Sequence, residues 1–232
     1  MLDAHVVKRR DAFTVDVAIR IAEGEPCGLF GVSGAGKSTV LSCIAGIEVP
    51  DGGSISVADA AFFPPPMPLH RRGIGYLTQD ADLFPHLSVA ENVVFGLSPG
   101  AKPEDDDWVR ELRSRLELEP IWNAPARAIS GGQARRVALA RMLARKPRLA
   151  LLDEPFAGLD RNLVRELIAA LREWRAAMGL TLLVVDHQAD VLERLTTRAV
   201  VVERGSVVQD APWHALRKAP ATPLLAALLE PL

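Results

Sequence analysis

The chain has 232 residues, 49% of them hydrophobic and 24% charged, with 27 Lys and Arg against 29 Asp and Glu. That length suits one large α/β domain carrying a small inserted subdomain, and the composition is that of a globular protein able to bury a core. A net charge of −2 excludes the strongly basic footprint of a dedicated nucleic-acid binder.

No apolar run approaches the ~20 residues of a membrane span, and the opening Met1-Leu2-Asp3-Ala4-His5 has no signal-peptide apolar segment. Work at a membrane would therefore require another protein to hold the chain there. Cys27 and Cys43 form no CxxC pair and lie in apolar stretches. They read as small core residues rather than a metal or redox pair.

The N-terminal part reads as strands. Phe13 to Ile21 alternates apolar and polar residues, and Cys27 to Phe30 is a short apolar run ending in a glycine-rich turn. A helix follows from Lys37 to about Ile47, then a turn at Val49 to Gly53 and a strand at Ser54 to Val57. Phe62 to Pro68 contains three consecutive prolines and reads as an exposed loop. Ile74 to Leu77 is another short strand.

From Ser88 to Ala144 the pattern is helical. Ser88-Val89-Ala90-Glu91 has capping-box spacing, Asp105 to Leu118 is amphipathic, and Gly132 to Ala144 keeps a near-helical period. Alternation then returns: strands at Leu149 to Leu152, Leu182 to Val185, Ala199 to Val202 and Ser206 to Val208, helices at Asn162 to Met178 and Ala189 to Leu195. The whole predicts an α/β fold, a mostly parallel sheet with helices on its faces and a helical insertion near residues 80–146.

Gly31-Val32-Ser33-Gly34-Ala35-Gly36-Lys37-Ser38-Thr39 fits G-x-x-x-x-G-K-[ST] between a strand and a helix. Glycines let the backbone curl so that N–H groups point at phosphate oxygens, and the helix dipole adds positive charge there. Lys37 would reach the β- and γ-phosphates and Ser38 would ligate Mg²⁺. Downstream, the strand Leu149 to Leu152 ends in Asp153 and Glu154. Beside a phosphate loop, Asp153 suits the metal and Glu154 the attacking water.

The stretch Ile129-Ser130-Gly131-Gly132-Gln133, continuing through Ala134 to Arg141, resembles the signature motif of ABC ATPases. The resemblance runs from the first strands to about Val208. It implies the ABC type of P-loop ATPase fold as a single domain over residues 1–232, with an N-terminal antiparallel β subdomain and no C-terminal regulatory domain. Residue by residue, Gln79 resembles the Q-loop glutamine that senses Mg²⁺ and the γ-phosphate. Asp160 resembles the D-loop aspartate of the dimer interface, and His187 the switch histidine. The resemblance further implies ATP and Mg²⁺ as ligands. It implies a homodimer with composite sites, in which Ser130, Gly131, Gly132 and Gln133 face the nucleotide held by the other copy.

Three positions depart from the family pattern. Ile129 stands where leucine is usual, and Asp186 where a small hydroxyl residue precedes the histidine. The usual adenine-stacking aromatic is displaced: Phe13 either stacks on the base or is a core strand residue, with Arg10 the alternative stacking group.

Asp80 to Val89 matches the region that receives a permease coupling helix in importers of the family, and Leu83, Phe84 and Leu87 supply apolar groups there. The resemblance therefore implies integral membrane permease partners, an indirect link to a substrate-binding protein, no nucleic acid, and a place on the cytoplasmic membrane face. His70 to Tyr76 with Phe84-Pro85-His86-Leu87 resembles molybdate importer ATPases, the first reading. Compact length and Gly96-Leu97-Ser98-Pro99-Gly100 resemble thiamine importer ATPases, the second. A DNA- or ribosome-acting ABC ATPase is disfavoured by the lack of a coiled-coil insertion and by the single phosphate loop. A P-loop small-molecule kinase is disfavoured by the Ser130-Gly131-Gly132-Gln133 motif.

Overall fold

A computed structural model describes residues 1–11, 13–97 and 106–230. One ten-stranded sheet organises the chain in the order β5-β4-β1-β2-β10-β9-β3-β8-β7-β6. Its first half is antiparallel: β1 (Leu2–Arg9) pairs with β2 (Thr14–Ile21) and with β4 (Gly52–Val57), and β4 pairs with β5 (Ala60–Phe63). Its second half is parallel. There β3 (Pro26–Phe30) lies between β9 (Arg198–Glu203) and β8 (Thr181–Val185). Beyond β8 come β7 (Leu149–Asp153) and β6 (Gly75–Leu77). The strand β10 (Ser206–Pro212) joins the halves, pairing antiparallel with β9 and, at Ser206, parallel with β2.

The parallel strands are covered on both faces, which explains their unbroken apolar runs. Successive side chains point to opposite faces. Ala150 and Leu152 of β7 with Leu182 and Val184 of β8 enter one apolar cluster, and Leu149, Leu151, Leu183 and Val185 enter the other. The helix α1 (Lys37–Ala45) covers the second face. The first face carries α5 (Arg161–Met178), whose Leu163, Leu167, Ile168, Leu171 and Trp174 form one buried stripe, and α6 (Ala189–Leu195).

Between β6 and β7 lie α2 (Val89–Val94), α3 (Asp107–Arg115) and α4 (Gly131–Ala144). The Ser88–Glu91 capping box forms as the spacing predicts. Val93, Leu112, Leu116 and Trp122 of this insertion join the same apolar cluster as the sheet residues, so the helices are packed into the main core.

Some expectations change. Phe62 and Phe63 belong to the edge strand β5, with Phe62 buried, so the exposed loop begins only at Pro64. An edge strand tolerates the adjoining prolines because one side of its backbone is free of the ladder. Two short helices, α7 (Trp213–Lys218) and α8 (Pro223–Leu229), follow the last strand. Trp213 is buried edge-on against Phe30, with its indole N–H donating to Thr196 Oγ1 at 2.9 Å. Ser98, Pro99, Gly100 and Asp105 lie outside the described residues.

Candidate active site

The sheet order brings four parallel strand ends side by side: β3, β8, β7 and β6. Their C-terminal edge is where open α/β sheets bind ligands. Onto it project the Gly31–Gly36 loop after β3, Asp186 and His187 after β8, Asp153 and Glu154 at the end of β7, and Thr78 and Gln79 after β6.

The loop is held tightly to the sheet. Gly31 has φ +143°, and a Cβ there would stand 2.2 Å from the Val202 carbonyl oxygen of β9, so only glycine fits. Gly36 caps α1 in the left-handed region with no side-chain hydrogen bond. The first N–H groups of α1 therefore have no side-chain acceptor and are available to an anion. Ser33 and Gly34 are exposed and Ala35 is buried.

Lys37 is buried, and its Nζ donates to the carbonyls of Gly31 and Val32 at 2.8 Å each. Burial lowers its pKa, opposed by the nearby Asp153, Glu154 and Asp186. Thr39 Oγ1 accepts from Arg10, which also pairs with Glu48 at 2.7 Å. That pairing engages Arg10 and argues against its stacking on a base. Phe13 is half-buried against the core, and a Cβ on Gly36 would stand 3.5 Å from its ring.

Asp153 is buried, and burial pushes its carboxyl up, with the Ser38 hydroxyl and Lys37 acting the other way. Asp186 is buried too and likewise pushed up, with the backbone N–H of Gln188 opposing. Glu154 has φ +48°, a left-handed conformation costing a non-glycine residue about 1–3 kcal/mol. Its N–H donates to the Val185 carbonyl at 2.9 Å. His187 is 57% exposed, with Nδ1 3.9 Å from Glu154 Oε1 and 3.7 Å from Asp186 Oδ1.

The signature residues sit at the start of α4. Ser130 Oγ accepts from the Gln133 N–H at 3.3 Å, while Gln133 Oε1 accepts from the Ser130 N–H at 2.8 Å. The two side chains thus cap the helix in their own chain. A Cβ on Gly132 would stand 3.1 Å from the Gly158 carbonyl, which places the turn against the segment leading to Asp160. Asp160 caps α5, accepting from the N–H groups of Asn162 and Leu163 at 3.0 Å.

One group escaped the sequence reading. Arg135 is 3% exposed, and its guanidinium donates to the carbonyls of Thr78, Gln79, Asp153 and Glu154. A signal was present: Arg135, Ala138, Leu139 and Met142 fall at i, i+3, i+4 and i+7 on one buried face, an unusual place for a charge.

The donor set suits Mg²⁺: a hydroxyl and a carboxylate, hard oxygen ligands of the kind that hold this ion together with substrate phosphates. Among the described residues no three His, Cys, Asp or Glu groups cluster to hold a metal by themselves.

Residues 15–157 match the family model described as ABC transporter. The chain belongs to the ABC transporter family. Its P-loop fold and its class as an ATPase follow from that membership. The chain is 42% identical over 206 residues to the thiamine import ATP-binding protein ThiQ of Jannaschia sp. (strain CCS1), covering 88% of this chain and 89% of that one. It is 36% identical over 240 residues to the molybdenum import ATP-binding protein ModC of Rhodobacter capsulatus, covering 99% of this chain but 65% of the relative's length. Among solved structures, a dimeric ATP-binding cassette in a post-hydrolysis state, bound to ADP and Pi, superposes with a TM-score of 0.80. That cassette is 26% identical, and the match covers 91% of this chain and 98% of that one.

Proposed function

We propose that this chain is the ATP-hydrolysing subunit of a small-solute importer. The observation that carries the reading is the convergence of the Gly31–Lys37 loop, Asp153–Glu154 and Asp186–His187 on one edge of the sheet. The loop N–H groups, Lys37 and the start of α1 hold the phosphates. Ser38 and Asp153 would hold Mg²⁺, with Gln79 as the residue that senses it, and the ion would draw charge from phosphate oxygens. Glu154 orients the attacking water and takes its proton. His187, beside Glu154, faces the γ-phosphate.

The site is completed by a second copy, whose Ser130, Gly131 and Gly132 present a helix N-terminus to the nucleotide. The dimeric form of the related cassette supports this arrangement. Closure on ATP and opening after hydrolysis then drive the permease. The exposed Phe95, its ring 4.2 Å from that of Phe84, offers apolar surface for a permease helix. Among the described residues no helix is long and apolar enough to cross a membrane; attachment is therefore assigned to that partner.

Import is supported by the relatives, which are import proteins by name. Thiamine is the first solute to test, since the thiamine relative shares the higher identity, 42% against 36%. Molybdate, favoured by the sequence, stays second on the His70–Tyr76 and Phe84–Leu87 segments. Cells lacking the chain are assayed for labelled thiamine uptake and for molybdenum content, with complementation by the parent or by Lys37→Ala. A thiamine defect restored only by the parent supports the first reading, and a molybdenum defect moves it to the second. Normal uptake of both sinks both solutes.

A further inference from the structure

We propose that Arg135 is a positioning residue for hydrolysis, a charged clasp fastening the Gln79 loop and the Glu154 backbone to the signature helix. The proposal rests on the site reading above and deepens it. Four carbonyls from two separate segments meet one guanidinium. Nη1 donates to Thr78 and Gln79 at 2.5 and 2.6 Å, and Nη2 donates to Asp153 at 2.5 Å and to Glu154. Nε is buried without a partner. Arg141, on the same helix, donates to the carbonyls of Asp82 and Ala81 at 2.9 and 3.1 Å. The segment from Thr78 to Asp82 is thereby bound to α4 at four carbonyls.

The geometry at Glu154 gives the clasp its consequence. A glutamate in the left-handed region persists only where its surroundings over-determine it. Three restraints act here: the Val185 carbonyl takes its N–H, and its carbonyl accepts from Arg135 and from the Ala157 N–H at 3.2 Å. Removing the guanidinium takes the charged donor from the Glu154 carbonyl, leaving the Ala157 and Val185 hydrogen bonds to hold that peptide, and releases the Gln79 peptide from the same anchor. Neither change touches the Gly31–Lys37 loop, where the phosphates bind. The start of α4 at Gly131, which serves the other copy's nucleotide, is only four residues from the clasp. The same side chain therefore ties this chain's hydrolytic carboxylate to the signature it lends its partner.

The test uses the full chain with Mg²⁺ and ATP. It compares the parent with Arg135→Met, Arg135→Lys and Glu154→Gln. Turnover per folded molecule is read against affinity for a fluorescent non-hydrolysed ATP analogue. Arg135→Met is expected to lower kcat about 10- to 100-fold, the scale of a misplaced reacting group. Its affinity should change by less than about threefold, since transition-state positioning separates from ground-state binding. Arg135→Lys, a point donor unable to span four carbonyls, should fall between Arg135→Met and the parent. If Arg135→Met does not fold, a lower kcat at unchanged affinity in Arg135→Lys supports the clasp in its place. Arg135 variants with parental kcat, or with kcat and affinity falling together, overturn the clasp. Glu154→Gln at the parental rate overturns the site reading itself, and the clasp with it. An inactive Glu154→Gln beside unimpaired Arg135 variants overturns the clasp alone.

Discussion

Gly31→Ala tests how the phosphate loop is seated. At φ +143° an alanine is strained, which costs about 1–3 kcal/mol. Its Cβ would also stand 2.2 Å from the Val202 carbonyl oxygen and 3.2 Å from the carbonyl carbon. Both are backbone atoms of β9, and β9 is hydrogen-bonded to β3 on this side, so the two strands must part. Overpacking of that kind costs about 1–3 kcal/mol more. The sum, about 2–6 kcal/mol, is a large part of the roughly 5–15 kcal/mol that holds a domain together. Gly34→Ala is the matched control. It lies in the same loop at φ +78° with nothing within 4 Å of its Cβ position, so only the left-handed cost of about 1–2 kcal/mol applies. Urea unfolding followed by tryptophan fluorescence reads both variants, since Trp174 and Trp213 are buried. With a slope of about 2 kcal/mol per molar, Gly31→Ala should lower the midpoint by about 1–3 M. Equal midpoints for the two variants would refute the steric argument.

Glu154→Gln should retain ATP while phosphate release slows by about 10²- to 10⁴-fold, the usual contribution of a positioned base; nucleotide titration and a phosphate assay separate the two. Leu112→Ala, at a fully buried position of α3, should destabilise by about 2–5 kcal/mol, measured by the same urea unfolding. Burial pushes the Cys27 thiol up to about 12 and the Cys43 thiol up to about 11, so the native protein should resist a thiolate-directed alkylating agent at pH 8 and react at both positions in denaturant. Because both thiols are held neutral in the fold, their stability contribution is full below pH 9. It is lost as pH rises from about 9 toward 11 and 12, and the unfolding midpoint should fall through that window.

Long periodic or apolar segments were readable from the chain alone. The α5 stripe, the apolar runs of β3, β7 and β8, and the Ser88–Glu91 box all formed where their spacing placed them. Other elements were not: β5 is four residues against a proline run, and α7 and α8, six and seven residues, follow the last strand outside the β/α alternation that marked the equally short α6. Within the candidate site, the loop and the Asp153–Glu154 pair stand out as local patterns. Asp186 reads from sequence only as an extra acid, and its burial depends on the elements that close over it. The capping roles of Gln133 and Asp160 are legible as helix-start chemistry, a simpler account than the nucleotide and interface roles the resemblance implies.

The sequence by itself determined what depends on near neighbours: the glycine spacing that curls the phosphate loop, the caps, the helix stripes and the alternation of β and α units. These rest on steric and hydrogen-bonding rules that act within a turn or two of chain. Tertiary structure alone decided that β8 lies between β3 and β7, which sets His187 beside Glu154. It likewise decided that Arg135 reaches carbonyls 57, 56, 18 and 19 residues away. Such contacts follow from which strands close loops on one another and which faces exclude water, and a buried guanidinium finds its acceptors only after that packing has brought them together.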